Sequence, residues 1–503
     1  MMKDLNNFKF HINPIFINIA IYLTKNSETV VCVLKKIKDV NCKIINNLDN
    51  IENFDLLITD KNLTTSFNTL KIFFVDENHF GKSLVSAKNF VEQLKVEIFE
   101  KELFKYLNPI QKSNVSEKIK LSAEINLIDI LVENTFSKKY LKRKIEILQR
   151  LSELEPQNVY NKVLLANIYM NHTEQKQLAN NIWQEILPRV KNKYHLLDYA
   201  ELQFYLNNLD EFFKYVKIFC ETKDEKYTKT FGKPLWNGEK THKDKTLAIF
   251  FDKGFGDTIF FLRNLKQIQE QFKDVICFVH PPLANLIKDN FENIKIQNFT
   301  EITNNINFDF FISSLSIINI AKESTFRNNK QYLKANSDKV LEFSKYFDKQ
   351  NFNIGIFWDS QKVREWQRNV DLAIFAPIGK IKNVQLYSLD IEKEDAELDI
   401  FDDKTKIINL GKYFKDFSDT AAAIENCDLI IATDSSVLNL AGALGKKTFG
   451  IFNQFPEWRW FQLNGDNVGW YKSVKPFQAK VQNNFEPIIN QICSEITTMQ
   501  NPQ

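Results

Sequence analysis

The sequence predicts an α/β protein dominated by two Rossmann-like lobes that face each other across a cleft, preceded by a helical region and a small N-terminal α/β region. Three observations predict it. Strands and helices alternate from Thr246 onward, the same rhythm restarts near Asn353, and the stretch from about 120 to 225 has helical period with almost no glycine.

At 503 residues the chain exceeds one compact core. The expected division is a small α/β region of unassigned role over 1–115, helices over 120–230, a first lobe over 240–345 and a second over 350–500. In the first region the apolar runs Ile15–Leu23, Asp55–Thr59 and Lys71–Val75 read as strands between polar turns. Asn18 interrupts the first run, and no small-residue cleavage site follows it, so it is not read as a secretory leader. No run approaches the roughly 18–20 continuous apolar residues of a membrane span, and a cytoplasmic protein is expected.

Hydrophobic residues make up 44% and charged residues 26%, ordinary globular usage, so global disorder is excluded. Lys plus Arg number 66 against 63 acidic residues, and a net charge of +3 over this length leaves no field that would gather nucleic acid. Six scattered cysteines contain no CxxC pair, and Cys277 with His280 lacks a second pair, so neither a metal site nor a disulfide framework is expected.

In the helical region, pairs such as Ile147/Leu151 and Leu164/Ile168 mark amphipathic helices, and Glu155-Pro156 marks a helix end. Leu131-Val132, Leu165-Ala166 and Tyr199-Ala200 recur about 34 residues apart. That spacing, with Ala166, Tyr169 and Ala200, resembles tetratricopeptide repeats. Most of their usual large residues are replaced here, and an unrelated bundle of α-hairpins remains the alternative.

In the first lobe Thr246–Phe251 reads as a strand, Thr258–Phe272 as an amphipathic helix and Val275–Val279 as a second strand. After a helical stretch near Asp338–Gln350 come strands at Asn353–Trp358, Val384–Leu389, Asp428–Thr433 and Lys447–Ile451. Open parallel sheets bind ligands beyond the carboxyl ends of their strands, which singles out the loops after Phe251, Trp358, Leu389 and Thr433.

The first loop, Asp252 to Thr258, carries Gly254 and Gly256, which let the backbone turn sharply into a helix so that an anion or a reacting hydroxyl can approach its N-terminus. The third glycine of a dinucleotide fingerprint is absent, which disfavours NAD. Asp257 has two readings, a helix N-cap or a reactive carboxylate. The second loop carries Ser360, Lys362, Arg364 and Arg368, cations suited to a diphosphate or simply a solvated charged loop. The third, Thr433-Asp434-Ser435-Ser436, precedes a small-residue helix over Val437–Leu444, where hydroxyls and N–H groups suit phosphate or sugar oxygens. An ordinary cap by Asp434 or Ser435 competes with that reading.

The segments Pro234-Leu235-Trp236-Asn237-Gly238, Gly254-Phe255-Gly256-Asp257-Thr258 and Phe261-Leu262-Arg263 resemble the start of a glycosyltransferase domain. It is the one in tetratricopeptide proteins related to the heptosyltransferases, glycosyltransferase family nine. Phe417 to Ala422, Cys427-Asp428-Leu429-Ile430, Thr433 to Val437 and Leu440 to Lys446 resemble it more closely, extended by Pro456-Glu457-Trp458-Arg459-Trp460 and Trp470-Tyr471. The resemblance covers about the last 270 residues.

It implies a GT-B fold, a nucleotide-diphosphate-sugar donor held mainly by the second lobe, an acceptor presented by the first lobe, and no metal or other cofactor. It gives Asp257 the role of general base toward the acceptor hydroxyl and Arg368 that of a cation for the leaving diphosphate, with Gly254, Gly256, Ser360, Lys362, Arg364, Asp434, Ser435, Ser436 and Asn439 around the donor. Where the family usually carries His after its Asp-Ser/Thr pair, this chain has Asn439, which donates a hydrogen bond but carries no charge.

The leading expectation is inverting sugar transfer to a glycan, lipid-linked or protein hydroxyl. A catalytically degenerate scaffold whose helices recruit a protein partner is the second, and a protein O- or N-glycosyltransferase the third.

Overall fold

The computed structural model describes residues 107–109, 111–135, 140–238, 241–301, 306–320, 330–359, 368–398, 407–460 and 469–500, with strands at 17–22, 40–44, 56–59 and 71–74. The chain forms two compact units, Met1–Leu154 and Glu155–Gln503. The boundary falls at Glu155-Pro156, inside the helical stretch: proline disfavours the helical conformation for the residue before it.

In the first unit, strands β1 (Ile17–Tyr22), β2 (Val40–Ile44), β3 (Leu56–Thr59) and β4 (Lys71–Phe74) form a parallel sheet in the order β2-β1-β3-β4. Three of these lie in the expected apolar runs. The unexpected β2 alternates Val40, Cys42 and Ile44 with Asn41 and Lys43, the two-residue period of a strand. Helices α1 (Glu117–Thr135) and α2 (Leu141–Leu154) follow. Arg143 and Arg150 of α2 pair with Glu124 and Glu117 of α1 at 2.6 and 2.8 Å. Such solvent-screened pairs contribute little, so burial of Ile147, Leu148 and Leu151 matters more. The side chains of Leu131 and Val132 lie outside the described residues.

The second unit opens with two helix hairpins, α3 (Val159–His172) with α4 (Lys176–Ile186) and α5 (Leu196–Tyr205) with α6 (Leu209–Phe231). Leu165-Ala166 lies on α3 and Tyr199-Ala200 on α5, the first helix of each hairpin, and all four residues are buried. Ala166 and Ala200 are fully buried, and their small side chains let neighbouring helices approach closely. Trp183 of α4 meets the ring of Tyr199 with centroids 5.5 Å apart. At the end of α6, Gly232 takes φ +63° and its N–H caps Thr228 O, the left-handed stop glycine favours.

The first lobe is a parallel sheet of β5 (His242–Phe250), β6 (Phe272–Val279), β7 (Ile294–Asn298) and β8 (Phe310–Ser313) in the order β7-β6-β5-β8. Helix α7 (Phe255–Phe261) follows β5, and α8 (Ala284–Asn290) follows β6. The helical segment therefore starts three residues before the expected Thr258, and β6 starts at Phe272, where the helix was expected to end.

After α9 (Ser337–Phe343) the second lobe is a six-stranded parallel sheet, β9 (Phe352–Phe357), β10 (Val384–Ser388), β11 (Ile407–Asn409), β12 (Leu429–Thr433), β13 (Thr448–Phe452) and β14 (Val474–Gln478). Its order is β11-β10-β9-β12-β13-β14. Helices α10 (Phe417–Asn426), α11 (Ser436–Ala443) and α12 (Glu486–Gln500) cover it. Every residue of β12 and β13 is buried, as expected of central parallel strands. Ile354, Ile356, Leu429, Ile431, Phe449 and Ile451 form one core with Ile488, Ile489, Ile492 and Ile496 of α12.

Two parallel-sheet lobes facing across a cleft constitute the GT-B type of architecture. Each sheet reverses its strand order beside its first strand, between β5 and β8 and between β9 and β12. The loops at the carboxyl ends of these strands are the places where such sheets bind ligands.

Candidate functional site

The glycine loop and the third loop meet. Helices α7 and α11 approach so closely that a Cβ on Gly256 would lie 3.1 Å from Asn439 Nδ2 and 3.5 Å from Ser436 Cα. Glycine at 256 is what permits this approach. Gly254 is the N-cap residue of α7 and makes no side-chain cap, which puts Asp257 at the third helical position. The N-cap reading of Asp257 therefore does not describe the structure, in which Gly254 holds the cap position and Asp257 makes no cap bond.

Asp257 Oδ1 instead accepts from Arg459 of the second lobe, in an ion pair that joins the two lobes. Arg459 also holds Glu457 Oε2 through Nε at 2.8 Å and Nη2 at 2.6 Å. Burial opposes the Arg459 charge, but Asp257, Glu457 and Asp434 outweigh it and hold the guanidinium pKa well above its ordinary value. Burial raises the Glu457 pKa despite Arg459.

Arg368 reaches this cluster from the loop after β9. Its Nε lies 3.2 Å from Asp434 Oδ2 and its Nη2 3.9 Å from Glu457 Oε2. Trp460 Nε1 donates to Asp434 Oδ1 at 2.6 Å, fixing the carboxylate between indole and guanidinium. Ser360, Lys362 and Arg364 lie outside the described residues. Ser435 is the cap of α11, its hydroxyl oxygen accepting from Leu438 N at 3.2 Å, and Ser436 opens that helix.

Asn439 is buried and its amide is committed to the protein. Nδ2 donates to Ser435 O at 2.9 Å, and Oδ1 accepts from Tyr471 OH at 2.9 Å. Tyr332 OH continues this network to Ile259 O of the first lobe at 3.0 Å. The position is a structural tie between lobes in this chain.

The helical hairpins form part of the same site. Phe204 of α5 packs on Trp458 with centroids 5.1 Å apart, Phe212 of α6 packs on it at 5.3 Å, and Tyr205 OH donates to Pro456 O at 3.0 Å. These contacts buttress the turn that carries Glu457 and Arg459. Lys223 of α6 forms an ion pair with Asp252 at the carboxyl end of β5. A cavity of about 170 Å³ opens beside Arg368, Asp434 and Glu457, walled on the helical side by Asn171, Glu201 and Tyr205.

Sequence reasoning named Asp257, Arg368, Asp434, Ser435, Ser436 and Asn439, and the fold gathers them. It gave no role to Arg459, Glu457 or Glu201. The available signal was two opposite charges embedded among Trp458 and Trp460, both buried, and an acid, Glu201, set among the buried residues Tyr199, Ala200, Leu202, Gln203 and Phe204.

Among the described residues no cluster of three or more His, Cys, Asp or Glu side chains is arranged to hold a metal, and no helix is long and apolar enough to cross a membrane.

No family model matches the chain. It is 22% identical over 290 residues to protein FlbA of Caulobacter vibrioides, 52% of this chain and 48% of that protein, so it spans about half the length of the curated relative it matches. Among solved structures it is similar to a glycosyl transferase of family 9 from Veillonella parvula, at 12% identity and TM-score 0.38, covering 53% of this chain and 92% of that one. It is also similar to the E. coli ADP-heptose LPS heptosyltransferase II, at 8% identity and TM-score 0.39, covering 51% and 100%. An O-GlcNAc transferase from Thermobaculum terrenum covers 80% of this chain and 91% of its own, at 8% identity and TM-score 0.29. With scores this low, the architecture rests on the chain's own sheet order.

Proposed function

We propose that the chain is a metal-independent, inverting glycosyltransferase of the cytoplasm, moving a sugar from a nucleotide-diphosphate-sugar to a hydroxyl of a glycan, lipid-linked or protein acceptor. The observation that carries this reading is the meeting of Asp257 from one lobe with Arg459, Arg368 and Asp434 from the other, where both sheets reverse their strand order.

The chemistry follows from those groups. Asp257 Oδ1 is held by Arg459, leaving Oδ2 to accept the proton of the acceptor hydroxyl. The acceptor oxygen attacks the anomeric carbon from the face opposite the diphosphate, the carbon–oxygen bond to the diphosphate breaks with its electrons going to the phosphate, and the configuration inverts. Arg368, with Lys362 and Arg364 of the same loop, neutralises the leaving diphosphate in place of a metal ion. N–H groups at the head of α11, by Ser435 and Ser436, add donors for phosphate or sugar oxygens. We read the hairpins as tetratricopeptide-like.

A scaffold without turnover is the second reading. It is favoured by Asn439, whose amide is used within the protein and offers no charge to a donor. Thermal melting against ADP, GDP, UDP and their hexose conjugates tests the choice, since a ligand bound only by the folded chain raises Tm. A shift with one nucleotide series supports transfer. No shift with any of them leaves the scaffold.

A further inference from the structure

Glu201 stands out in the cavity because its neighbours are matched and it is not. Asp434 is held by Trp460 and Arg368, and Glu457 by Arg459. Among the described residues Glu201 has no hydrogen-bond or ion-pair partner, although it lies on a helix whose residues Tyr199, Ala200, Leu202, Gln203 and Phe204 are buried. Glu201 itself is half-buried at the cavity wall, where a ligand hydroxyl would supply the hydrogen-bond partner it lacks. The cavity it faces, about 170 Å³, is more than ten times the ~10–15 Å³ that admits one water.

The floor of that cavity comes from Ile451, Phe452 and Asn453 at the carboxyl end of β13, beside the switch point of the second sheet. Its roof comes from Asn171 of α3 and Glu201 of α5. The helical wall of the cavity, Asn171, Glu201 and Tyr205, carries no cation, so that end of the space suits a neutral, hydroxyl-rich group.

We propose that Glu201, contributed by the helical hairpins, contacts hydroxyls of the sugar unit of the donor and so sets which sugar the site accepts. This rests on the glycosyltransferase reading above. Burial first, then Glu457 and Asp198, push the Glu201 pKa well above the usual carboxylate range, against the pull of Arg459 and Lys253. A protonated carboxyl in such a place both donates to and accepts from sugar hydroxyls. The hairpins then serve as a wall of the donor site.

The test is calorimetric binding of ADP, GDP, UDP, ADP-glucose, GDP-mannose and UDP-glucose to the full-length protein and to Glu201→Ala and Glu201→Gln. The wild type is expected to bind one nucleotide-hexose more tightly than its parent diphosphate. Glu201→Ala should erase that gap, about a tenfold loss for the hexose conjugate, with the diphosphate unchanged, while Glu201→Gln, which keeps the shape and hydrogen bonding, should retain most of it. An undiminished gap in Glu201→Ala overturns the Glu201 role and leaves the transferase reading standing. Equal losses for diphosphate and conjugate in both variants also overturn it, since they mark a structural residue. Failure of every nucleotide to bind the wild type overturns the transferase reading, and the Glu201 role with it.

Discussion

Arg459 of the second lobe forms an ion pair with Asp257 of the first, linking residues 202 positions apart in sequence at the mouth of the cleft. The pair fixes one oxygen of the carboxylate and leaves the other for an acceptor. Asp257→Asn should therefore lower the transfer rate about a hundred-fold or more while preserving nucleotide binding and nearly preserving Tm, because an asparagine carbonyl still accepts from Arg459. Initial rates with a competent donor and acceptor pair, alongside melting curves, check this. Full activity in the variant would leave Asp257 a purely structural residue.

Arg368 reads differently because its ion pair with Asp434, at 3.2 Å, lies at the cavity and its side chain is 31% exposed. A phosphate reaching this partly exposed guanidinium would compete with Asp434 for it. Charged hydrogen bonds to such groups contribute about 1.5–3 kcal/mol, so Arg368→Ala should weaken nucleotide diphosphate binding roughly ten- to a hundred-fold. Calorimetry measures it directly, and unchanged affinity would put the diphosphate elsewhere.

The contrast between these residues explains what was legible in the sequence. Central strands β12 and β13 are near-continuous apolar runs, β9 and β10 are apolar apart from Asn353, Gln385 and Ser388, and β9, β12 and β13 lead into the loops that carry Arg368, Asp434 and Asn453. Edge strands lack that run. β7 (Ile294–Asn298) mixes Lys295 and Gln297 into a half-buried pattern, and β11 is three residues long, so neither stood out. Asp257 and Arg368 follow strands and could be found locally. Arg459 could be noticed between two tryptophans but not given a role, because its partner Asp257 lies in the other lobe and only the fold brings the two together. Glu201 belongs to a region read as separate from the chemistry, and tertiary packing of α5 on Trp458 is what brings it to the cavity.

Asn439 makes a prediction about stability. Tyr471 passes over Gly442, where a Cβ would lie 2.5 Å from the ring, and donates to Asn439. Gly442→Ala must displace that ring and should cost about 1–3 kcal/mol, as overpacking usually does. Asn439→Ala removes the acceptor that the buried Tyr471 hydroxyl donates to and should cost a similar amount. If the network is one unit, the double variant should lose less than the sum of the two. Strict additivity in denaturant titrations would show the two contacts to be independent.

Asp390, just past β10, ties stability to pH. It is 3% exposed, with Oδ1 accepting from Glu392 N at 3.0 Å. Burial raises its pKa from 3.8 to about 6, opposed by that N–H and by Lys393 and reinforced by Asp359. The folded chain therefore holds this proton more tightly than the unfolded chain. The resulting stabilisation is fully present below the unfolded value of 3.8 and is lost as pH rises to about 6, so that ionised Asp390 costs about 2–3 kcal/mol at neutral pH. Asp390→Asn removes the ionisation while keeping an acceptor for Glu392 N. It should stabilise the chain by about that amount near pH 7.5 and give little or no gain near pH 4. Denaturant midpoints at the two pH values measure the difference, and an equal gain at both would mean that ionisation of Asp390 is not its source.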